Sequence, residues 1–99
     1  MTPLTVKAVA REGGQTVTVT EPVDSGLQRR YKITDANAKP SVAYDTVVAT
    51  DGGWSAFPEN GQVTGTEGQV ITVVDNTTSG AFARKTGTAT LPAPTPDAG

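Results

Sequence analysis

Gln69-Val70-Ile71-Thr72-Val73-Val74-Asp75 (QVITVVD) is the stretch that decides the fold. Its β-branched residues run almost without a polar break, over a length that suits one strand and is too short for a helix. A run of this kind is expected where both faces of a strand are covered, so 69–75 is predicted to be a central strand. Turn signals bracket it, with Glu67-Gly68 before and the polar loop Asn76 to Gly80 after.

Outward from this centre the apolar residues alternate. In residues 4–10, Leu4, Val6 and Ala8 share one face, and in 15–20 Val17 and Val19 do, with threonines opposite. Arg11-Glu12-Gly13-Gly14 joins the two as a hairpin. Residues 29–33 follow a loop from Glu21 to Gly26, with Tyr31 and Ile33 on one face. Asp35 to Pro40 reads as a loop, because Ala-Asn-Ala is too short to nucleate a helix. Residues 42–49 (VAYDTVVA) are expected as a further strand, Trp54 to Phe57 as a short one stopped by Pro58, and Gln62 to Thr64 as a short piece after the Asn60-Gly61 turn. Ala81 to Lys85 and Thr88 to Leu91 are expected to form a last hairpin around Gly87. From Pro92 to Gly99 the chain is an extended Pro-rich tail without core residues, expected to be mobile unless a partner holds it. The echo between Gly14–Glu21 and Gly68–Asp75 reflects a shared turn-then-strand grammar, and no duplication is inferred.

Seven or eight short antiparallel strands with turns at close intervals predict an all-β, single-domain β-sandwich over 1–91, with a small β-barrel as the alternative. Composition agrees. Thr, Val and Ile supply 31 of the 99 residues and Leu only 3. A 35% hydrophobic fraction makes the core thin, which two facing sheets use efficiently.

The same composition bears on chemistry. The chain has no Cys and no His. That removes disulfides, thiol and imidazole catalysis and the usual metal ligands, so neither a cofactor nor a metal is expected, and no enzyme. Asp45, Asp51, Glu59 and Glu67 fall at expected turns and read as solvated carboxylates, with no D-x-D-x-D-G calcium loop. Gly13-Gly14 and Gly52-Gly53 lack the Lys and following helix of a phosphate cradle. A net charge of −2 argues against nucleic acid as partner. No apolar run spans a membrane, and Met1-Thr2-Pro3-Leu4 does not begin a signal peptide.

Two features are candidates for protein contact. Arg29-Arg30-Tyr31-Lys32 is the one basic cluster. Alternation sets Arg30 and Lys32 opposite Tyr31, either as a solvated strand face or as a contact to an acidic protein surface. Trp54, the single Trp, with Phe57 three residues on, is either core or an interface anchor on a loop edge. Arg29, Arg30, Lys32, Trp54 and Phe57 are therefore the candidate interface residues.

The stretch Gly61 to Leu91, with its Gly-Thr-Glu-Gly-Gln turn, its valine-rich strand ending in Val74-Asp75 and Ala83-Arg84-Lys85-Thr86-Gly87, resembles the closing strands of small β domains in tailed-phage virion proteins. In particular it resembles head decoration proteins and Ig-like appendages of tail and capsid proteins from phages of high-GC hosts, and Lys39 to Asp45 fits the same style. The resemblance implies a non-enzymatic structural protein that binds the major capsid protein and stabilises the shell. It also implies a place on the capsid surface after synthesis in the host cytoplasm, and action as a homo-oligomer such as a trimer or as a single knob. It carries no site residues with it. Two rival readings are an adhesion module for host-surface sugar or protein, which exposed Trp54 and Phe57 would favour, and a tail-tube component.

Overall fold

The computed structural model describes residues 2–95. Across them, eight strands form in chain order: β1 (Thr2–Pro3), β2 (Val6–Arg11), β3 (Gly14–Val19), β4 (Leu27–Thr34), β5 (Ser55–Ala56), β6 (Gln62–Val63), β7 (Val70–Thr77) and β8 (Ala83–Thr90). They build a five-stranded sheet ordered β1-β8-β7-β4-β5 and a three-stranded sheet ordered β2-β3-β6. Two separate sheets make this a β-sandwich, not a closed barrel. All pairs are antiparallel except β1 with β8, which run parallel. The exception arises because the first strand lies along β8 and then crosses at Leu4 to continue as β2 in the other sheet.

All of the QVITVVD stretch except Gln69 lies in β7, the middle strand of the larger sheet, and seven of the eight β7 residues are buried. Register sorts the side chains into two faces. Tyr31, Val73 and Gly87 align across β4, β7 and β8, as do Ile33, Ile71 and Ala89. This inner face packs on Leu4, Val17 and Val63 from the other side, with Leu91 closing the cluster and Val6, Ala8, Val19 and Phe57 at its margin. Each fully buried aliphatic here contributes about 1.5–3 kcal/mol.

One polar side chain is central to this core. Gln15 is fully buried, yet all its groups are used. Its Nε2 donates to the carbonyls of Gly65 (3.1 Å) and Pro92 (2.9 Å), and its Oε1 accepts from the Gly65 amide (2.9 Å). A satisfied buried amide costs little and fixes register. Here it ties β3 to chain 50 and 77 residues away.

The outer face of the larger sheet is covered by residues 35–54, which contain no strand. This segment runs through two 3-10 turns, Ala36–Ala38 and Thr50–Gly52. Val48 and Trp54 from it pack on Val74, Ala81 and Ala83, with Val42 alongside, as a second buried cluster. The molecule thus has three layers: a small sheet, a large sheet and an irregular cover.

Several sequence expectations need correction. Residues 42–49 are not a strand. Asp45 adopts a left-handed backbone (φ 70°), which breaks extension, and the Thr46 hydroxyl accepts from the Ala43 amide. The segment spends its backbone groups on residues 81–83 instead: Asp45 N–H on the Ala83 carbonyl, Ala83 N–H on Thr46, and Val48 N–H on Ala81. There is no hairpin around Gly87 either, because β8 runs straight through it. A Cβ at Gly87 would collide with the Leu4 carbonyl, so this glycine admits the crossing N-terminal segment and does not make a turn. The β7–β8 turn lies at Thr78–Gly80. The tail is held over residues 92–95: Thr95 N–H donates to Arg11, and Gly13 N–H donates to Thr95. The remainder of the tail, 96–99, lies outside the described residues.

Candidate functional site

The basic cluster splits as alternation requires, but its side chains turn to partners within the chain. Arg29 is on the inner face. Its Nε and Nη2 form a two-point contact with the Asp75 carboxylate (2.6 and 2.9 Å), and Nη2 also donates to the Glu21 carbonyl (2.7 Å). Asp75 is fully buried, and the fork geometry of guanidinium matches it as an ammonium would not. Arg30 and Lys32 are on the other face, beneath the irregular cover. Arg30 Nη1 donates to the Val48 carbonyl (2.8 Å) and Lys32 Nζ to the Gly52 carbonyl (3.0 Å). Lys32 also sits 5.9 Å from the centre of the Trp54 ring. Both cations therefore pin the cover to the sheet while their stems fill space against it.

Trp54 and Phe57 do not share an edge. Trp54 is 7% exposed and belongs to the outer cluster. Phe57 packs edge-on against Tyr31 at 6.1 Å on the inner side. It also lines a groove of about 540 Å³ between the sheets, whose walls include Val19, Val23, Arg29 and Glu59. The two aromatics are separated by the large sheet, so they cannot present one joint surface.

A different group is exposed. Tyr44, Val47 and Phe82 are 60%, 53% and 40% exposed. Val47 and Phe82 face each other across an isolated antiparallel bridge. Arg84, the extra residue of a bulge where β8 shifts register against β7, lies over the Tyr44 ring at 4.3 Å and pairs with Asp45. The result is an apolar and aromatic patch with a mixed-charge rim, the composition found at protein-contact hot spots. Its backing is firm, since the three backbone bonds between 45–48 and 81–83 hold both halves together. Among the described residues, the two non-glycine residues with positive φ are Asp45 and Ala81, and both flank this patch. Backbone strain concentrated at one place is a recognised mark of a working surface.

In sequence, 42–49 reads as a strand, and that reading hides the patch. The available signal was Tyr44-Asp45 itself, an aromatic followed by a residue that tolerates the left-handed region.

Electrostatically, the site end of the molecule carries paired charges. At the same end of β4, beside Arg29 on the inner side, the Glu21 carboxylate accepts from the Thr5 amide (2.7 Å) and hydroxyl (2.8 Å). These bonds hold its pKa below the ordinary carboxylate value, the backbone bond being the larger cause. Among the described residues no group of three or more carboxylates is placed to hold a metal ion. No helix among the described residues is long and apolar enough to cross a membrane. No protein-family model, curated protein or solved structure matches the chain.

Proposed function

We propose that this protein is a non-enzymatic structural component of a phage virion that binds the capsid surface and stabilises it. Docking uses the patch of Tyr44, Val47, Phe82 and Arg84. The observation that supports this most is the exposure of two of the chain's five aromatic residues, Tyr44 on the irregular layer and Phe82 on the 81–83 segment hydrogen-bonded to it. A solvated patch of that kind is costly to keep unless something covers it. The resemblance of Gly61 to Leu91 to virion β domains names the kind of partner, the major capsid protein. Many copies on a repeating shell would each bury a modest area and together cement neighbouring subunits. Exposed Trp54 and Phe57 on one edge would favour the adhesion alternative, and their separation by the large sheet removes that support.

The test is sedimentation of the purified chain with undecorated tailed-phage capsids, together with capsid thermal stability. Saturable binding that raises the melting point supports the proposal. Tyr44→Ala and Phe82→Ala each remove an exposed side chain and should leave folding intact. Each should weaken binding by at least about tenfold, as hot-spot truncations of about 2 kcal/mol do. Absence of binding, or binding indifferent to both substitutions, would refute it.

A further inference from the structure

Four strands border the two sheets: β1 and β5 in the large one, β2 and β6 in the small one. Three of them are two residues long. Very short border strands are a common protection against unwanted pairing. β2 is the exception, with six residues. It contains no proline, no bulge against β3 and no inward charge over Val6–Ala10.

The hydrogen-bond phase of β2 is fixed by its partner. Thr20 N–H donates to the Thr5 carbonyl, so the 5–20 pair is a bonded one and bonded pairs alternate from there. The backbone groups of Lys7 and Val9 therefore face β3, and those of Val6, Ala8 and Ala10 face outward. Among the described residues these outward groups have no partner. Beyond them, Thr95 bridges to Glu12 and closes the far end of the strand, which leaves Val6–Ala10 as the open length. Val9, on the outer face of the small sheet, is 45% exposed.

We propose that β2 pairs with β2 of a second copy, antiparallel about a two-fold axis through Ala8, to give one continuous six-stranded sheet. The strand is complementary to itself in this register. Ala8 meets Ala8 of the partner copy, Val6 meets Ala10, and Lys7 meets Val9, so no like charges face each other. Moving the axis to Val9 sets Lys7 against Arg11 of the other copy, a like-charge pair that disfavours that register. The small Ala8 and Ala10 side chains permit close approach, and each exposed Val9 is covered by the stem of the facing Lys7. The contact is isologous and closes on itself, so it yields dimers and not fibres. The inference stands independently of what the aromatic patch binds.

Sedimentation velocity of the full chain over a range from micromolar to millimolar tests it. The wild type should pass from monomer to dimer, and amide exchange at Ala8 and Ala10 should slow as it does. Val9→Lys sets an ammonium against Lys7 at two symmetric places and should raise the dimer dissociation constant about tenfold. Its far-UV spectrum should match the wild type, since Val9 makes no core contact. Lys7→Glu/Val9→Lys puts opposite charges face to face and should restore the dimer. A wild type that stays monomeric at millimolar concentration overturns the proposal. So does a dimer indifferent to Val9→Lys, or one that the double charge change fails to restore.

Discussion

The two faces of the large sheet are covered in opposite ways. The inner face meets another sheet, strand on strand, through aliphatic residues in alternation. The outer face meets twenty residues of chain without a strand, fastened by Arg30 and Lys32 to the Val48 and Gly52 carbonyls. One side relies on pattern, the other on a few specific bonds and one indole ring. An irregular layer that buries only two of its own side chains, Val48 and Trp54, can still cover a sheet face when cations long enough to reach its carbonyls are set beneath it.

The largest effect that could break this comparison is truncation of the anchor on each side. Trp54→Ala should cost about 3–5 kcal/mol and Ile71→Ala about 2–5 kcal/mol in chemical denaturation. A Trp54→Ala cost below about 1 kcal/mol, in the range of surface substitutions, would show that the cover is a loose flap and not a layer. Close behind is the ion pair at the end of the inner face. Arg29→Ala leaves the buried Asp75 carboxylate without its partner and should cost about 3–5 kcal/mol. Replacing both residues by leucine should recover most of that loss, since the pair's own desolvation then disappears.

A smaller effect sharpens the contrast on the outer face. The buried Thr72 hydroxyl has no hydrogen-bond partner beneath the cover. Thr72→Val keeps the shape and removes the orphaned group, so stability should rise by about 1 kcal/mol. Last comes an effect outside both faces. The lowered pKa of Glu21 means its bonds to Thr5 stabilise the fold above the unfolded-state pKa, and that contribution is lost as pH falls through the folded value. An acid titration of the melting point should therefore be less steep for Glu21→Gln than for the wild type.

How much of this could be read from the residues follows the same division. β2, β3, β4 and β7 were legible because Val, Ile, Tyr and Leu recur at every second position or run unbroken. The inward set of Leu4, Val6, Val17, Val19, Tyr31 and Ile33 came from that period alone. The cover was not legible, because its burial rests on Val48 and Trp54, two apolar residues with no period between them. The valines of 42–49 look like a strand until Asp45 is given its left-handed backbone. Gly87 misled for a related reason. A glycine inside a strand pattern signals either a turn or a close crossing, and Leu4, which crosses there, is 83 residues away in sequence. The basic cluster was placed on the correct faces, but its partners, Asp75, Val48 and Gly52, are set by tertiary contacts that no local pattern encodes. Tyr44 and Val47 are hidden for the same reason as the cover that carries them, and Phe82 joins them only through its tertiary bridge to Val47.

The Gln15 clamp has a consequence for the order in which the chain can become a protein. Its amide leaves the ribosome 77 residues ahead of one of its acceptors, Pro92, and β1 is likewise made long before β8, the strand on which it rests. The first hairpin alone is marginal at best, and its sheet stays without a floor until β7 and β8 leave the ribosome. Sandwiches held by such distant contacts fold on the millisecond-to-second scale, slower than helical bundles of equal size. A nascent chain stalled before Pro92 would therefore hold its hydrophobic strands exposed and wait, and any chaperone dependence of this protein should be concentrated in that interval.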